Sequence, residues 1–174
     1  TYIFSHCEPF FAHRWFPCFD QPDLRTELTL TVFSPSESWE VISNSEKEEE
    51  PVQMEAFDHP LFQSLFNERD VVTQHRFKPT PAISTYIMNL CAGEFEKIVN
   101  KDKDAKVPMS IYIRKSKIEY LDHEQLFFMV REGMKYYEKY TGVKYPWSKY
   151  DHIFCPEFRI RGMENVGAVT FTDR

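Results

Sequence analysis

Two short acidic motifs hold the residues whose types could do chemistry: Glu8 in HCEP, and Glu164 in RIRGMENVGAVTF, residues 159–171. Gly162 and Gly167 flank the Met163-Glu164-Asn165 triplet inside otherwise apolar, strand-like sequence. Glycine there allows either a turn or a close approach of the backbone to a ligand, which a Cβ would block. An arbitrary Glu is a solvated or salt-bridged surface group, and the flanking glycines set Glu164 apart from that background.

Other familiar constellations fail on spacing. HEQLF, starting at His123, begins like the H-E-x-x-H helix signature, in which two histidines one turn apart share a zinc ion and the Glu acts as general base. Its fifth position is Phe127, so the second ligand is missing and no zinc site is expected there. The remaining histidines, His6, His13, His59, His75 and His152, form no pair with ligand spacing on a helix. There is no G-x-S-x-G elbow and no phosphate-binding glycine loop. Cys7, Cys18, Cys91 and Cys155 are too far apart for paired C-x-x-C knuckles and too few for a disulfide framework, and free buried thiols are expected. The formal charge of −6, with no basic stripe, argues against nucleic acid as a partner. No apolar run approaches the ~20 residues of a membrane helix, and no basic-then-apolar leader opens the chain.

The elements that must position the two acids follow from periodicity. TELTLTV places Leu28, Leu30 and Val32 on one face of a strand, and WEVISN reads as the next, ending at Ser43-Asn44-Ser45. The acidic run SEKEEEP after it reads as a solvated loop. FDHPLFQSLFNERD, with Phe57, Leu61, Phe62, Leu65 and Phe66, is compatible with a short helix or an aromatic-rich loop. Strand character returns in VVTQHRF and STYIMNLCAGEFEKIV, and the charged stretch NKDKDAK is the best candidate for a domain boundary. A helix is expected from about Asp122 to Thr141, its buried face marked by Phe127, Val130, Met134 and Tyr137. Asp122 suits the N-cap, Gly142 the left-handed position past the end, and Pro146 follows. KYDHIFCPEF and GAVTFTD read as two more strands around the Glu164 motif.

RGMENVGAVTF resembles the G-x-M-E-N exopeptidase motif of the zinc metalloaminopeptidases related to aminopeptidase N, puromycin-sensitive aminopeptidase and leukotriene hydrolase. EPFFAHRWFPCFDQPDLRTELTLTV is similar to the E-P-x-x-A-R-R-x-F-P-C-F-D-x-P pattern of that family's N-terminal domain. PTPAISTYIMNLCAGEFE and YYEKYTGVKYPWSKYDHIFCPEF extend the likeness over essentially the whole chain. The resemblance implies an α+β fragment: residues 1–98 as the later part of a β-rich, saddle-like N-terminal domain, and 99–174 as the opening strands and first helix of a thermolysin-like catalytic domain. It implies that Glu164 binds the α-amino group of a peptide substrate, that Gly162 and Met163 form the edge pairing with substrate backbone, with Asn165 in the same motif, and that Glu8 is a second N-terminus-binding acid. His6 stands where the family often has Gln. Arg161 replaces the usual first small residue of the motif, and Val166 stands where many members carry Trp.

The chemistry these roles require is simple. A peptide α-amino group has a pKa of roughly 7.7–8.0 and is largely ammonium at neutral pH, so carboxylates can hold it by charge-assisted hydrogen bonds of about 1.5–3 kcal/mol each. An internal peptide bond offers no such cation. The resemblance places the zinc, its ligands and the rest of the catalytic set beyond residue 174, so the segment alone is expected to be inactive, and its partners are peptides with a free N-terminus. A cytoplasmic location is expected from the few cysteines and the absence of a visible anchor. The alternative is a non-catalytic, aminopeptidase-like scaffold for protein contacts, against which the intact Met163-Glu164-Asn165 and Glu8 count.

Overall fold

The computed structural model describes residues 1–56, 59–64, 66 and 70–174. Phe57 and Leu65, named above as part of a possible helix, lie outside the described residues. The chain divides into two compact units, Thr1–Glu94 and Phe95–Arg174.

The first unit is built from short antiparallel strands. These are β1 (Tyr2–Phe4), β2 (Arg25–Thr26), β3 (Thr31–Ser34), β4 (Glu40–Ser43), β5 (Val52–Glu55), β6 (Val71–Arg76), β7 (Ile83–Ser84) and β8 (Leu90–Gly93). They form sheets in the orders β1-β8-β4, β3-β6-β5 and β2-β7. A core of Val41, Phe77 and Ala92 is covered by Leu30, Val32, Trp39 and Leu90. The strand expected over TELTLTV is split. Pro79 and Pro81 in the facing segment have no N–H to give, so the regular ladder stops there. Thr80 fills the gap: its N–H donates to the Leu28 carbonyl at 3.0 Å, and its Oγ1 accepts from the Leu28 N–H at 2.9 Å. Leu28, Leu30 and Val32 nevertheless keep their alternation, each half-buried, with Glu27, Thr29 and Thr31 exposed between them.

The acidic run is not a free loop. Lys78 pairs with Glu46 at 2.8 Å and Arg76 with Glu49 at 3.7 Å, while the Glu48 N–H donates to the Arg76 carbonyl at 2.9 Å. The run therefore lies along the end of β6, its charge partly neutralised by two cations there. His59 and Phe62 stack around Phe33 with ring centroids 5.0 and 4.8 Å away, so the described part of the aromatic insertion covers β3.

The second unit is a mixed sheet with one helix. Its elements are β9 (Phe95–Val99), β10 (Met109–Arg114), α1 (His123–Thr141), β11 (Tyr150–Cys155), β12 (Gly162–Met163) and β13 (Ala168–Thr172), in sheet order β12-β13-β11-β10-β9. β10, β11 and β13 run parallel, and the outer strands β9 and β12 run antiparallel to their neighbours. A parallel pair needs a long crossover, and α1 supplies the one between β10 and β11. Met109, Ile111 and Ile113 alternate onto the helix side and meet Phe127 in the core, with Ile98, Leu126, Val130 and Phe154 around them.

The charged stretch NKDKDAK sits in the β9–β10 connection, inside this unit. The compact units divide at Glu94 and Phe95, earlier than the junction expected after residue 98, because β9 pairs along its whole length with β10 from Phe95↔Arg114 to Val99↔Ser110. Gly93, at φ 153°, marks the break: a Cβ there would fall 2.6 Å from the Thr1 carbonyl oxygen. The loop itself is anchored, with Asp102 bonded to Arg131 and Lys106 to Glu138.

The helix caps are those its sequence specifies. Asp122 accepts the Gln125 N–H at 3.0 Å, and Gly142 takes the left-handed conformation at φ 70° while its N–H donates to the Glu138 carbonyl. The expected buried face ends sooner than its spacing suggested. Phe127 is buried and Val130 joins the core, but Tyr137 is 64% exposed. The sheet reaches under the first turns only. Farther along, Met134 and Tyr137 line a cleft of about 550 Å³ with Tyr145, Pro146 and Tyr150.

Candidate functional site

β12 is the terminal strand of its sheet, paired on one side with β13 through Gly162↔Phe171 and Met163↔Thr170. The Thr172 N–H donates to the Arg161 carbonyl at 3.2 Å. In an antiparallel ladder, hydrogen-bonded and non-bonded pairs alternate, so Arg161 and Met163 turn their main-chain groups inward to β13. The N–H and C=O of Gly162 point the other way, to a side on which no further strand pairs among the described residues. An extended peptide could bond to these two groups as an added strand.

The side chains sort in the same way. A Cβ on Gly162 would stand 3.2 Å from the Phe171 ring, so a side chain at this position would press on the ring. Met163 is 2% exposed on the opposite face and helps to seat the strand. Glu164, the next residue, is exposed at the end of the edge. Asn165 is 1% exposed, and its amide Nδ2 donates to Thr170 Oγ1 at 3.1 Å. Its carbonyl accepts the Ala168 N–H at 3.1 Å across a tight turn in which Gly167 has φ 71°, the positive φ that the third residue of a type II turn requires.

Two residues not singled out by sequence pin that turn. Lys149 donates from Nζ to the Gly167 carbonyl and to Asp151 Oδ2, both at 2.7 Å, and the pair is almost fully buried. The Asp151 N–H donates to the same carbonyl at 3.1 Å. Breaking a buried pair costs several kcal/mol because the survivor is left charged and unpartnered, so Glu164 rises from a stiff base. The signal in the sequence was two opposite charges at i and i+2 at the start of a strand, on one face. Such a pair looks like any surface pair until the strand is known to be central.

His6 and Glu8 belong to the first unit. Glu8 is exposed, while Cys7 beside it is 2% exposed. Burial raises the Cys7 thiol pKa to about 11, with nearby Asp20 and Cys18 adding to the effect, so it stays protonated and inert. All four cysteines are free, three of them buried. His6 is half-buried and lines a cleft of about 390 Å³ with Ser5, Arg14 and Trp15. The segment after Glu8 folds back through successive turns, with the Phe11 N–H donating to Cys7 and the Trp15 N–H to Ala12.

Asp20 clamps that segment, and sequence reasoning passed over it. Its carboxylate accepts the His13 N–H at 3.1 Å and the Thr85 hydroxyl at 2.9 Å, and lies 2.9 Å from His13 Nδ1. Burial pushes the Asp20 pKa up, but the His13 and Thr85 bonds outweigh it and hold the carboxyl below its ordinary value. The structure thus brings Gly162, Met163, Glu164 and Asn165 together on one strand and turn. Glu8 and His6 are held on a separate, clasped loop of the other unit.

The Peptidase M1 N-terminal domain matches residues 1–87, and the Peptidase family M1 domain matches residues 127–174. Aminopeptidase N of Streptomyces lividans is 36% identical over 100% of this chain and 18% of its own length. Probable aminopeptidase 1 of Sulfurisphaera tokodaii is 32% identical over 98% of the chain and 19% of its own length. Glutamyl aminopeptidase of Sus scrofa is 28% identical over 95% of the chain and 16% of its own length. The chain therefore spans about a fifth of the length of these relatives. With both matched segments in order, and the Met163-Glu164-Asn165 edge and Glu8 loop inside them, this chain belongs to peptidase family M1.

Proposed function

We propose that this chain is the substrate-anchoring segment of a zinc-dependent aminopeptidase that removes N-terminal residues from peptides. The observation that carries the reading is the open edge of β12: Gly162 turns a free N–H and C=O outward, and the exposed carboxylate of Glu164 stands at the strand's end. A peptide laid along this edge presents its backbone to Gly162 and its ammonium to Glu164. The resemblance supports a further substrate-binding role for Glu8 and His6 on the first unit. Met163 and Asn165 contribute through the strand and turn that they hold in place.

Among the described residues no three His, Cys, Asp or Glu side chains form a metal-holding group. The residues here do not fit a zinc site, and the ligands are assigned to sequence following residue 174. When bound there, the metal supplies an activated water for peptide hydrolysis. The work of this segment is to fix which peptide bond meets that water. No helix among the described residues is long and apolar enough to cross a membrane. We place the enzyme in the cytoplasm on its few free cysteines, and the domain junction near residues 94–98.

The test is turnover of an aminoacyl-arylamide by the full-length protein, with and without a zinc chelator, beside Glu164→Gln. Losing one charge-assisted bond of about 1.5–3 kcal/mol predicts a fall in kcat/KM of roughly 10- to 100-fold. Chelator-sensitive turnover that collapses in the variant supports both the enzyme and the anchor. An unchanged kcat/KM in a folded Glu164→Gln protein would falsify the anchor, and no turnover on a broad panel favours a scaffold.

A further inference from the structure

Resting on the reading of Glu164 as the amino-group anchor, we propose that Arg161 selects substrates bearing a carboxylate on the second or third residue. The direction of the bound peptide follows from the edge. With its N-terminus at Glu164, a peptide pairing with β12 must run back past Gly162 toward Arg161, antiparallel to the strand. Three residues of strand separate the two positions, which is about 10 Å at ~3.4 Å per residue. The residues that pass Arg161 are therefore those just after the bond to be cut.

Arg161 is exposed, and its main-chain carbonyl is engaged by Thr172, so the backbone beneath it is fixed while the guanidinium faces solvent. Arg159, two residues earlier, is exposed as well. Among the described residues neither makes an ion pair, nor do Arg14, Arg25 and Arg174, while Arg76, Arg114 and Arg131 do. An uncommitted cation, Arg161, thus adjoins one end of the open edge, and a carboxylate, Glu164, the other. The edge is polarised to suit a peptide that is positive at its start and negative shortly after. A small residue in place of Arg161 would leave that second position neutral.

The carboxylate could be a Glu or Asp side chain, or the C-terminus of a di- or tripeptide. Both would meet the guanidinium as a charge-assisted, forked pair. Glu164 is untouched by the choice, so this selectivity adds to the anchor and can fail while the anchor holds.

The experiment measures kcat/KM of the full-length enzyme on four peptide pairs: Ala-Glu-Ala against Ala-Gln-Ala, Ala-Ala-Glu against Ala-Ala-Gln, both with amidated C-termini, and Ala-Ala and Ala-Ala-Ala each with free against amidated ends. The same peptides are titrated calorimetrically into the zinc-free protein, which reads binding without turnover. A preference of about three- to tenfold is expected for the charged member of at least one pair, since an exposed ion pair is weak and a forked one stronger. It should shrink in 0.5 M salt, survive in Arg161→Lys in reduced form, and vanish in Arg161→Gly. Side-chain and C-terminal pairs distinguish the two sources of the carboxylate. Robust turnover with no preference in any pair, or a preference that persists in Arg161→Gly, overturns the proposal and leaves the Glu164 reading standing. Loss of all turnover in Glu164→Gln with the charge preference retained in binding supports both.

Discussion

At the scale of single residues, burial decides what each titratable group can do. His152 is 1% exposed in the middle of the sheet, stacked on Phe171 at 5.7 Å and packed edge-on to Tyr150 at 4.9 Å. Desolvation lowers its pKa from 6.5 to about 4, so it is neutral in the native state. Between those two values the unfolded chain binds a proton that the folded chain refuses. Stability is therefore intact above pH 6.5 and falls as the pH drops toward 4, by at most about 1.4 kcal/mol per pH unit from this one group. Thermal unfolding followed from pH 7 to 4 should show the slope, and His152→Phe should reduce it, the remainder coming from His75, which burial likewise lowers to about 4. Glu164 was singled out in the sequence by its flanking glycines, and Glu8 by the resemblance of its segment to the family pattern. The residues that hold them, Asp20, Lys149 and Asp151, were not, because their partners, such as Thr85 and the Gly167 carbonyl, are remote in the chain.

At the scale of elements, local rules were legible wherever local chemistry governs. The helix announced both ends, and its caps make opposite predictions from its interior glycine. Asp122→Ala removes the bond to Gln125 and should destabilise by about 1 kcal/mol. Gly142→Ala forces a Cβ into φ 70° and should cost about 1 kcal/mol as well. Gly133, in contrast, has open space where a Cβ would go, so Gly133→Ala should stabilise by roughly 0.5–1 kcal/mol. Urea unfolding of the three variants checks the signs together. What periodicity could not tell was how far the sheet extends beneath the helix, since that depends on the lengths of β10 and β11. Tyr137 was misread for that reason.

At the scale of the whole molecule, composition was a poor guide to where the units divide. NKDKDAK has the charge of a linker, yet it closes the antiparallel pair of β9 and β10 and is tied back by Asp102 and Lys106. Trypsin nicking at Lys101 or Lys103, both exposed, should consequently give two pieces that elute together under native conditions and separate only in denaturant. Pieces that part without denaturant would mean that the β9–β10 pairing does not hold in solution. Parallel neighbours β11 and β13 were visible as strands, but β10 was not singled out and the order of the three was not legible, because the register of long crossovers leaves no mark on single-strand patterns.

The two-residue length of β12 has one more consequence. An exposed sheet edge can template the pairing of another molecule's sheet, and natural edges avoid this by being short and charged. β12 offers a single outward amide pair, with Arg161 on one side and Glu164 on the other. A passing peptide can satisfy it with one residue, whereas a second copy of the sheet would gain two hydrogen bonds and little more. The same short edge that suits an extended peptide thus resists pairing with its own copy, and association of the sheet through β12 should be absent even from concentrated solutions.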